Sequence, residues 1–80
     1  MPAKETYINI FPNPSNGIFS VELFESGQLI IYDLLGKEMV NRAVNKGINE
    51  IKVDYLKPGI YVIKYKSTSG EIDSKRLLIE

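Results

Sequence analysis

The sequence predicts an all-β domain of seven short antiparallel strands, and two observations support that prediction. Six glycines recur at intervals of 9 to 12 residues along the 80-residue chain, most of them beside other turn-forming residues. Between the turns, apolar and polar residues alternate with a period of two, and no window sustains the 3.6-residue period of an amphipathic helix. The six turns therefore divide the chain into seven strands, which we expect to pack as two sheets.

The pattern of each segment indicates its position in the sandwich. The predicted strands are Thr6–Phe11, Ile18–Leu23, Gln28–Leu34, Lys37–Ala43, Ile48–Asp54, Ile60–Lys66 and Glu71–Ile79. The third is almost continuously apolar, which is typical of a central strand, and the fourth is charged, which suits a sheet edge. The apolar positions predict a core that contains Phe19, Val21, Ile31, Ile51, Val53, Leu56, Tyr61 and Ile63.

One segment indicates the topology. Leu56-Lys57-Pro58-Gly59-Ile60-Tyr61 resembles the corner of immunoglobulin-like sandwiches, where a tyrosine hydroxyl bonds to backbone a few residues upstream. In that role Tyr61 fixes a crossover between the sheets, with Leu56 as a buried plug. The alternative is a plain β-turn followed by a core tyrosine. The predicted fold class is a seven-stranded immunoglobulin-like antiparallel β-sandwich with Greek-key topology.

Composition excludes several classes of function. Ten basic and ten acidic residues give a formal net charge of zero, which offers no field to attract nucleic acid or an anionic membrane. The chain has no cysteine and no histidine, so thiol nucleophiles, disulfides and most transition-metal sites are absent. No stretch approaches the 18 apolar residues of a membrane span. We therefore expect no enzyme activity, no cofactor, no metal, no nucleic-acid partner and no membrane insertion.

A few side chains allow a binding interpretation beside a structural one. Asp33 and Asp54 end strands beside turns, where calcium ligation is conceivable but acceptance of turn N–H bonds is the commoner role. Four tyrosines suggest either an aromatic platform or core filling, of which core filling is commoner: Tyr7, Tyr32, Tyr55 and Tyr65. The last two strands hold a basic group that suits either a partner contact or edge protection: Lys64, Lys66, Lys75 and Arg76.

The string Ile10-Phe11-Pro12-Asn13-Pro14-Ser15-Asn16-Gly17 is the most distinctive in the chain. Each proline holds the preceding residue extended and removes a backbone donor, which ends the first strand. Asn16-Gly17 can adopt positive φ and turn the chain into the second strand.

That string is the first of four ordered blocks that carry a family resemblance. The others are Ile31-Tyr32-Asp33-Leu34-Leu35-Gly36-Lys37, Leu56-Lys57-Pro58-Gly59-Ile60-Tyr61 and Lys75-Arg76-Leu77-Leu78-Ile79. Together they resemble the type A C-terminal sorting domain of the type IX (Por) secretion system of Bacteroidetes. The resemblance covers residues 6–80, and Met1–Glu5 is interpreted as a truncated linker or an added start.

The resemblance implies an immunoglobulin-like domain at the end of a larger cargo protein. The cargo would enter the periplasm by an N-terminal signal, and the outer-membrane translocon and shuttle proteins of the type IX system would then recognise the domain. A surface sortase would usually remove it, leaving the cargo at the cell surface or secreted. The alternative function is an adhesion or carbohydrate-binding module of immunoglobulin or fibronectin type in an extracellular enzyme.

The same resemblance points to candidate recognition residues within the blocks rather than to catalytic ones. They are Pro12, Asn13, Pro14, Gly17, Asp33, Gly36, Gly59, Tyr61, Lys75 and Arg76.

Overall fold

The protein is described over residues 8–80 by a computed structural model, and in this range the chain forms seven β-strands without a helix. The strands are β1 (Ile8–Phe11), β2 (Ile18–Leu23), β3 (Gly27–Tyr32), β4 (Glu38–Val44), β5 (Gly47–Lys52), β6 (Gly59–Ser67) and β7 (Ile72–Ile79). Across these described residues, nothing resembles a helix long and apolar enough to traverse a bilayer.

The strands form two antiparallel sheets, which confirms the predicted sandwich. One sheet has the order β1-β2-β5 and the other has the order β4-β3-β6-β7. Consecutive strands β2 and β3, β4 and β5, and β5 and β6 lie in different sheets, so the chain crosses the core three times. Strand β3 is central and β4 is an edge, as their apolar and charged patterns predict.

Two predicted strands are too long at their C-terminal ends. β3 stops at Tyr32 because Asp33 begins a tight turn, and β5 stops at Lys52 because the Val53 N–H donates to the Gly17 carbonyl, 2.7 Å away, in the β1–β2 loop. The first residues of the predicted Thr6–Phe11 strand lie outside the described range.

The core lies between the sheets and contains every residue predicted for it. Phe19, Val21, Ile31, Ile51, Val53, Leu56, Tyr61 and Ile63 are all buried. Tyr65, fully buried, fills the core as expected. Core filling is wrong for Tyr55, which is 70% exposed because it sits in the loop after β5 rather than on a strand. Tyr7 lies outside the described residues.

The tyrosine corner is present. The Tyr61 hydroxyl donates to the Lys57 carbonyl oxygen at 2.6 Å, and both Tyr61 and Leu56 are buried. Upstream, the Leu56 N–H donates to the Val53 carbonyl at 2.9 Å, which tightens the same connection. Because the bond ties the start of β6 to the loop that leaves β5, it holds the crossover between the two sheets.

Replacing Tyr61 with phenylalanine should lower the free energy of unfolding by about 1–3 kcal/mol, because the Lys57 carbonyl then loses its partner in a partly buried site. Urea unfolding followed by circular dichroism measures this loss. Tyr32→Phe is the matched control, since Tyr32 is only half-buried and lies on the outer side of β3. Equal losses for the two variants would contradict the stabilising role of the corner.

Candidate functional site

The four sequence blocks, far apart in the chain, converge at one end of the sandwich. Strands β1, β3, β5 and β7 all run toward this end, so the β1–β2, β3–β4 and β5–β6 connections meet there. Ile79 of β7 pairs with Gly59 of β6 at the same level. We call this region the motif end, defined as residues 12–17, 33–37, 53–58 and 78–80.

Asn13 ties the proline-rich loop to the outer edge of β7. Its Nδ2 donates to the Arg76 carbonyl at 2.8 Å, and the Leu78 N–H donates to its Oδ1 at 3.1 Å. A side-chain amide carries the same donor and acceptor as a peptide group. The Asn13 side chain therefore takes the place of one peptide unit of a neighbouring strand.

Ser15 extends this attachment with its own backbone. The Ser15 N–H donates to the Leu78 carbonyl at 2.9 Å, and the Glu80 N–H donates to the Ser15 carbonyl at 2.8 Å, forming a parallel bridge with Ile79. The Ser15 hydroxyl accepts from the Gly17 N–H at 3.0 Å and is part of a buried residue. The loop thus leaves one sheet and pairs with the edge of the other.

The remaining positions of this loop shape its path. The peptide bonds before Pro12 and Pro14 are both cis, and both prolines are exposed. Gly17 has a φ of 99°, and a Cβ at this position would lie 2.6 Å from the Asp54 Cα. Only glycine suits such a conformation and such a close approach.

The second block forms a hairpin turn held by Asp33. The Asp33 Oδ1 accepts from the Leu35 and Lys37 N–H groups, each at 2.9 Å, and Gly36 has a φ of 86°. Asp33 therefore accepts turn N–H bonds, as the sequence favours, and no group of three potential ligand residues within 8–80 could hold a metal ion. The turn exposes Leu34 by 68% and Leu35 by 94%.

A shallow groove separates this turn from the tyrosine corner. It encloses about 450 Å³. It is lined by Asp33, Met39, Tyr55, Leu56, Lys57 and Tyr61. Tyr55, which the sequence analysis considered for an aromatic platform, lines this groove and is exposed. The exposed Leu34 and Leu35 of the Asp33 turn are the residues that the sequence analysis did not single out. An apolar pair at the tip of a turn, where polar residues are usual, is the signal that could have revealed them.

Six of the ten candidate recognition residues lie within the motif end, and Gly59 and Tyr61 follow it directly at the start of β6. Lys75 and Arg76 lie farther from the motif end, toward the middle of β7. Lys75 pairs with Ile63 and Arg76 with Val62. Successive residues of a strand point to opposite faces. Lys75 shares the inner side with buried Leu77, and Arg76 points outward. The two cations therefore do not form a single patch.

The opposite end of the sandwich satisfies its polar groups internally. The Tyr65 hydroxyl donates to the Glu25 backbone carbonyl, and the Ser69 hydroxyl donates to the Glu25 carboxylate. Hydrogen bonds from Ser69 and then Ser67 lower the pKa of Glu25, whereas burial and the nearby Glu25 charge raise the pKa of Tyr65. These contacts join the β2–β3 loop to the β6–β7 turn.

Comparison with known proteins gives one family. The sequence model of the family described as the secretion system C-terminal sorting domain matches residues 9–80, a range that includes all four blocks. This match confirms the resemblance to type IX sorting domains. A search of curated proteins finds no match.

Asn13→Ala should lower the free energy of unfolding by about 1–2 kcal/mol, because two hydrogen bonds to β7 are lost in an exposed position. It should also speed hydrogen exchange at the Leu78 amide, which donates to Asn13. Asn13→Asp is the matched comparison: it keeps the acceptor for Leu78 but removes the donor to Arg76. Unchanged exchange at Leu78 in the alanine variant would contradict the proposed attachment.

The lowered pKa of Glu25 predicts a pH dependence with a definite sign. Its hydrogen bonds stabilise the fold above the ordinary glutamate pKa of about 4.3, and this contribution is lost as pH falls through the lower folded-state value. Glu25→Gln and Ser69→Ala should therefore lose less stability than the wild type between about pH 5 and pH 3. Urea unfolding at a series of pH values measures the free energy of unfolding of each protein. If that free energy changes with pH by the same amount in all three proteins, the prediction is wrong.

Proposed function

The chain belongs to the secretion system C-terminal sorting domain family, and on that premise we propose that it is the folded export address of a larger cargo protein. Membership indicates a type IX sorting signal, which implies interaction with the type IX machinery and export across the outer membrane toward the cell surface or the medium. The family is not a catalytic one.

In the proposed sequence of events, the cargo crosses the periplasm before the outer-membrane translocon and its shuttle proteins bind this domain. A surface sortase then cleaves the chain before the domain, and the cargo is released or attached to the cell surface. The domain is a ligand of the translocon and a substrate of the sortase. The paired polar groups support a role that needs a stable shape, since no described side chain has an unpartnered buried polar atom.

The observation that best supports this proposal is the convergence of the four blocks at the motif end. Their segments span residues 10–79 of the sequence, and they are adjacent only after the two sheets have formed. A receptor that binds this end therefore distinguishes a folded domain from an unfolded one. Recognition at the motif end would therefore select domains that have folded before export.

We propose that most of the candidate recognition residues act by building the motif end rather than by touching a receptor. The side chains of Asn13, Asp33 and Tyr61 are engaged in internal hydrogen bonds. Gly17 and Gly36 provide backbone conformations with positive φ. The same structural role is proposed for Pro12, Pro14 and Gly59. Only Lys75 and Arg76 would contribute charge.

Fusing the 80-residue chain to the C-terminus of a periplasmically exported reporter should carry the reporter outside a cell that has the type IX system. The measurement is the reporter fraction in the medium and on the cell surface, with an isogenic strain lacking the system as control. Retention in the periplasm of an intact reporter whose attached domain is folded would contradict the proposed function.

Deleting Lys75–Glu80 from the same fusion should abolish export, because the deletion removes buried Leu77 and Ile79 and the partners of Asn13 and Ser15. The domain then loses core and exposes a sheet edge. Circular dichroism of the truncated domain should show loss of the native β-sheet signal.

A further inference from the structure

The outer face of the four-stranded sheet, which points away from the core, carries a distinctive set of side chains. Buried and exposed positions alternate along β6 and β7, so each strand presents every second residue to this face. Pairing brings Lys64 beside Ile30 of β3 and Arg76 beside Val62 of β6. We call this surface the basic face and define it by Ile60, Val62, Lys64, Lys66, Arg76 and Leu78.

Charge on this face has one sign across three strands. Lys64, Lys66 and Arg76 point outward, and the outward positions of β3, β6 and β7 hold no acidic residue. The acidic residue on the outer side of the neighbouring edge strand is Glu38, whose carboxylate accepts from the Asn41 amide at 3.3 Å. Within residues 8–80, none of the three cations forms an ion pair.

Apolar side chains border these cations toward the motif end. Ile60 is 42% exposed, and its pairing partner Leu78 is half-buried. Val62, two residues along β6 on the same face, is also half-buried. Partly exposed aliphatic residues surrounded by charges are typical of protein contact surfaces.

The outer face of the other sheet has a different charge. Its strands present Glu22, Glu50 and Lys52 outward, and the Lys52 Nζ lies 3.7 Å from the Glu50 carboxylate. Two acidic residues and one basic residue give this face a small negative charge, whereas the basic face has three cations, so the chain's zero net charge is unevenly distributed between the two faces. An acidic partner would therefore be attracted more strongly to the basic face than to the opposite one.

We propose that the basic face docks an acidic, partly apolar protein surface belonging to the secretion machinery. This inference rests on the proposed function and names a second contact surface for it, in addition to the motif end. The cations lie on paired strands, and hydrogen bonds with Asn13 fix the backbone of Arg76 and Leu78. The positions of the charges are therefore set before a partner binds. Because Asn13 and Ser15 occupy the β7 edge groups beside Arg76 and Leu78, contact there would be made by side chains rather than by strand addition.

The experiment compares two double variants of the reporter fusion that change net charge equally. Lys64→Glu/Lys66→Glu reverses charge on the basic face, and Lys46→Glu/Lys52→Glu reverses it elsewhere. The first pair should reduce the exported fraction about tenfold or more, since like charges across an interface are strongly repelled. The second pair should export like the wild type. Lys64→Gln/Lys66→Gln should give an intermediate loss, and it replaces the first pair if that pair shifts the urea unfolding midpoint.

Equal export by the two charge-reversed pairs would overturn the docking proposal while leaving the sorting function in place. Failure of the wild-type fusion to leave the periplasm would overturn the sorting function, and the docking proposal with it. The purified domain is also mixed with phosphatidylglycerol vesicles. Binding that is lost in the Lys64→Glu/Lys66→Glu variant would identify an anionic lipid surface as the partner and overturn the acidic-protein proposal. Absence of vesicle binding, together with selective loss of export, supports it.

Discussion

The hydrogen bonds between the β1–β2 loop and the outer edge of β7 are the constraint on which the motif end depends. Strand β7 ends the four-stranded sheet, and its outward N–H and C=O groups would otherwise be open to another strand. Asn13 and Ser15 occupy four of these groups, on Arg76, Leu78 and Glu80. The same contacts connect the two sheets at this side, because the loop begins on β1 of the three-stranded sheet.

This attachment explains why the residues that define the family resemblance need not be the residues that a receptor touches. The side chains of Asn13 and Asp33 form hydrogen bonds with backbone groups, and the Tyr61 hydroxyl donates to the Lys57 carbonyl oxygen. What these residues display is a shape with exposed leucines at its tip and a charged sheet face beside it. A sequence signature of this kind specifies a fold and a surface together, as the proposed recognition of a folded domain by a receptor requires.

Local patterns predicted most of the architecture, and long-range contacts supplied the rest. Turn spacing located the seven strands, and alternation identified core residues such as Phe19 and Ile63, because both are properties of neighbouring residues. The Asn13–Arg76 bond joins residues 63 positions apart, which no local pattern encodes. The separation of Lys75 and Arg76 onto opposite faces follows from strand geometry once the register is known. Tyr55 follows both the predicted strand and the observed β5, and alternation along a strand does not show whether a tyrosine in the following loop packs inward.

The central claim is that the motif residues act through the folded shape of the motif end, and Gly17 tests it most directly because it has no side chain to recognise. A Cβ at this position meets the Asp54 backbone at 2.6 Å, so Gly17→Ala should destabilise the domain. The measurement is exported reporter plotted against the fraction of folded domain, calibrated with the core variants Ile63→Val and Ile63→Ala. We predict that Gly17→Ala falls on the line that the core variants define. A Gly17→Ala domain that is as folded as the wild type but is not exported would contradict the claim.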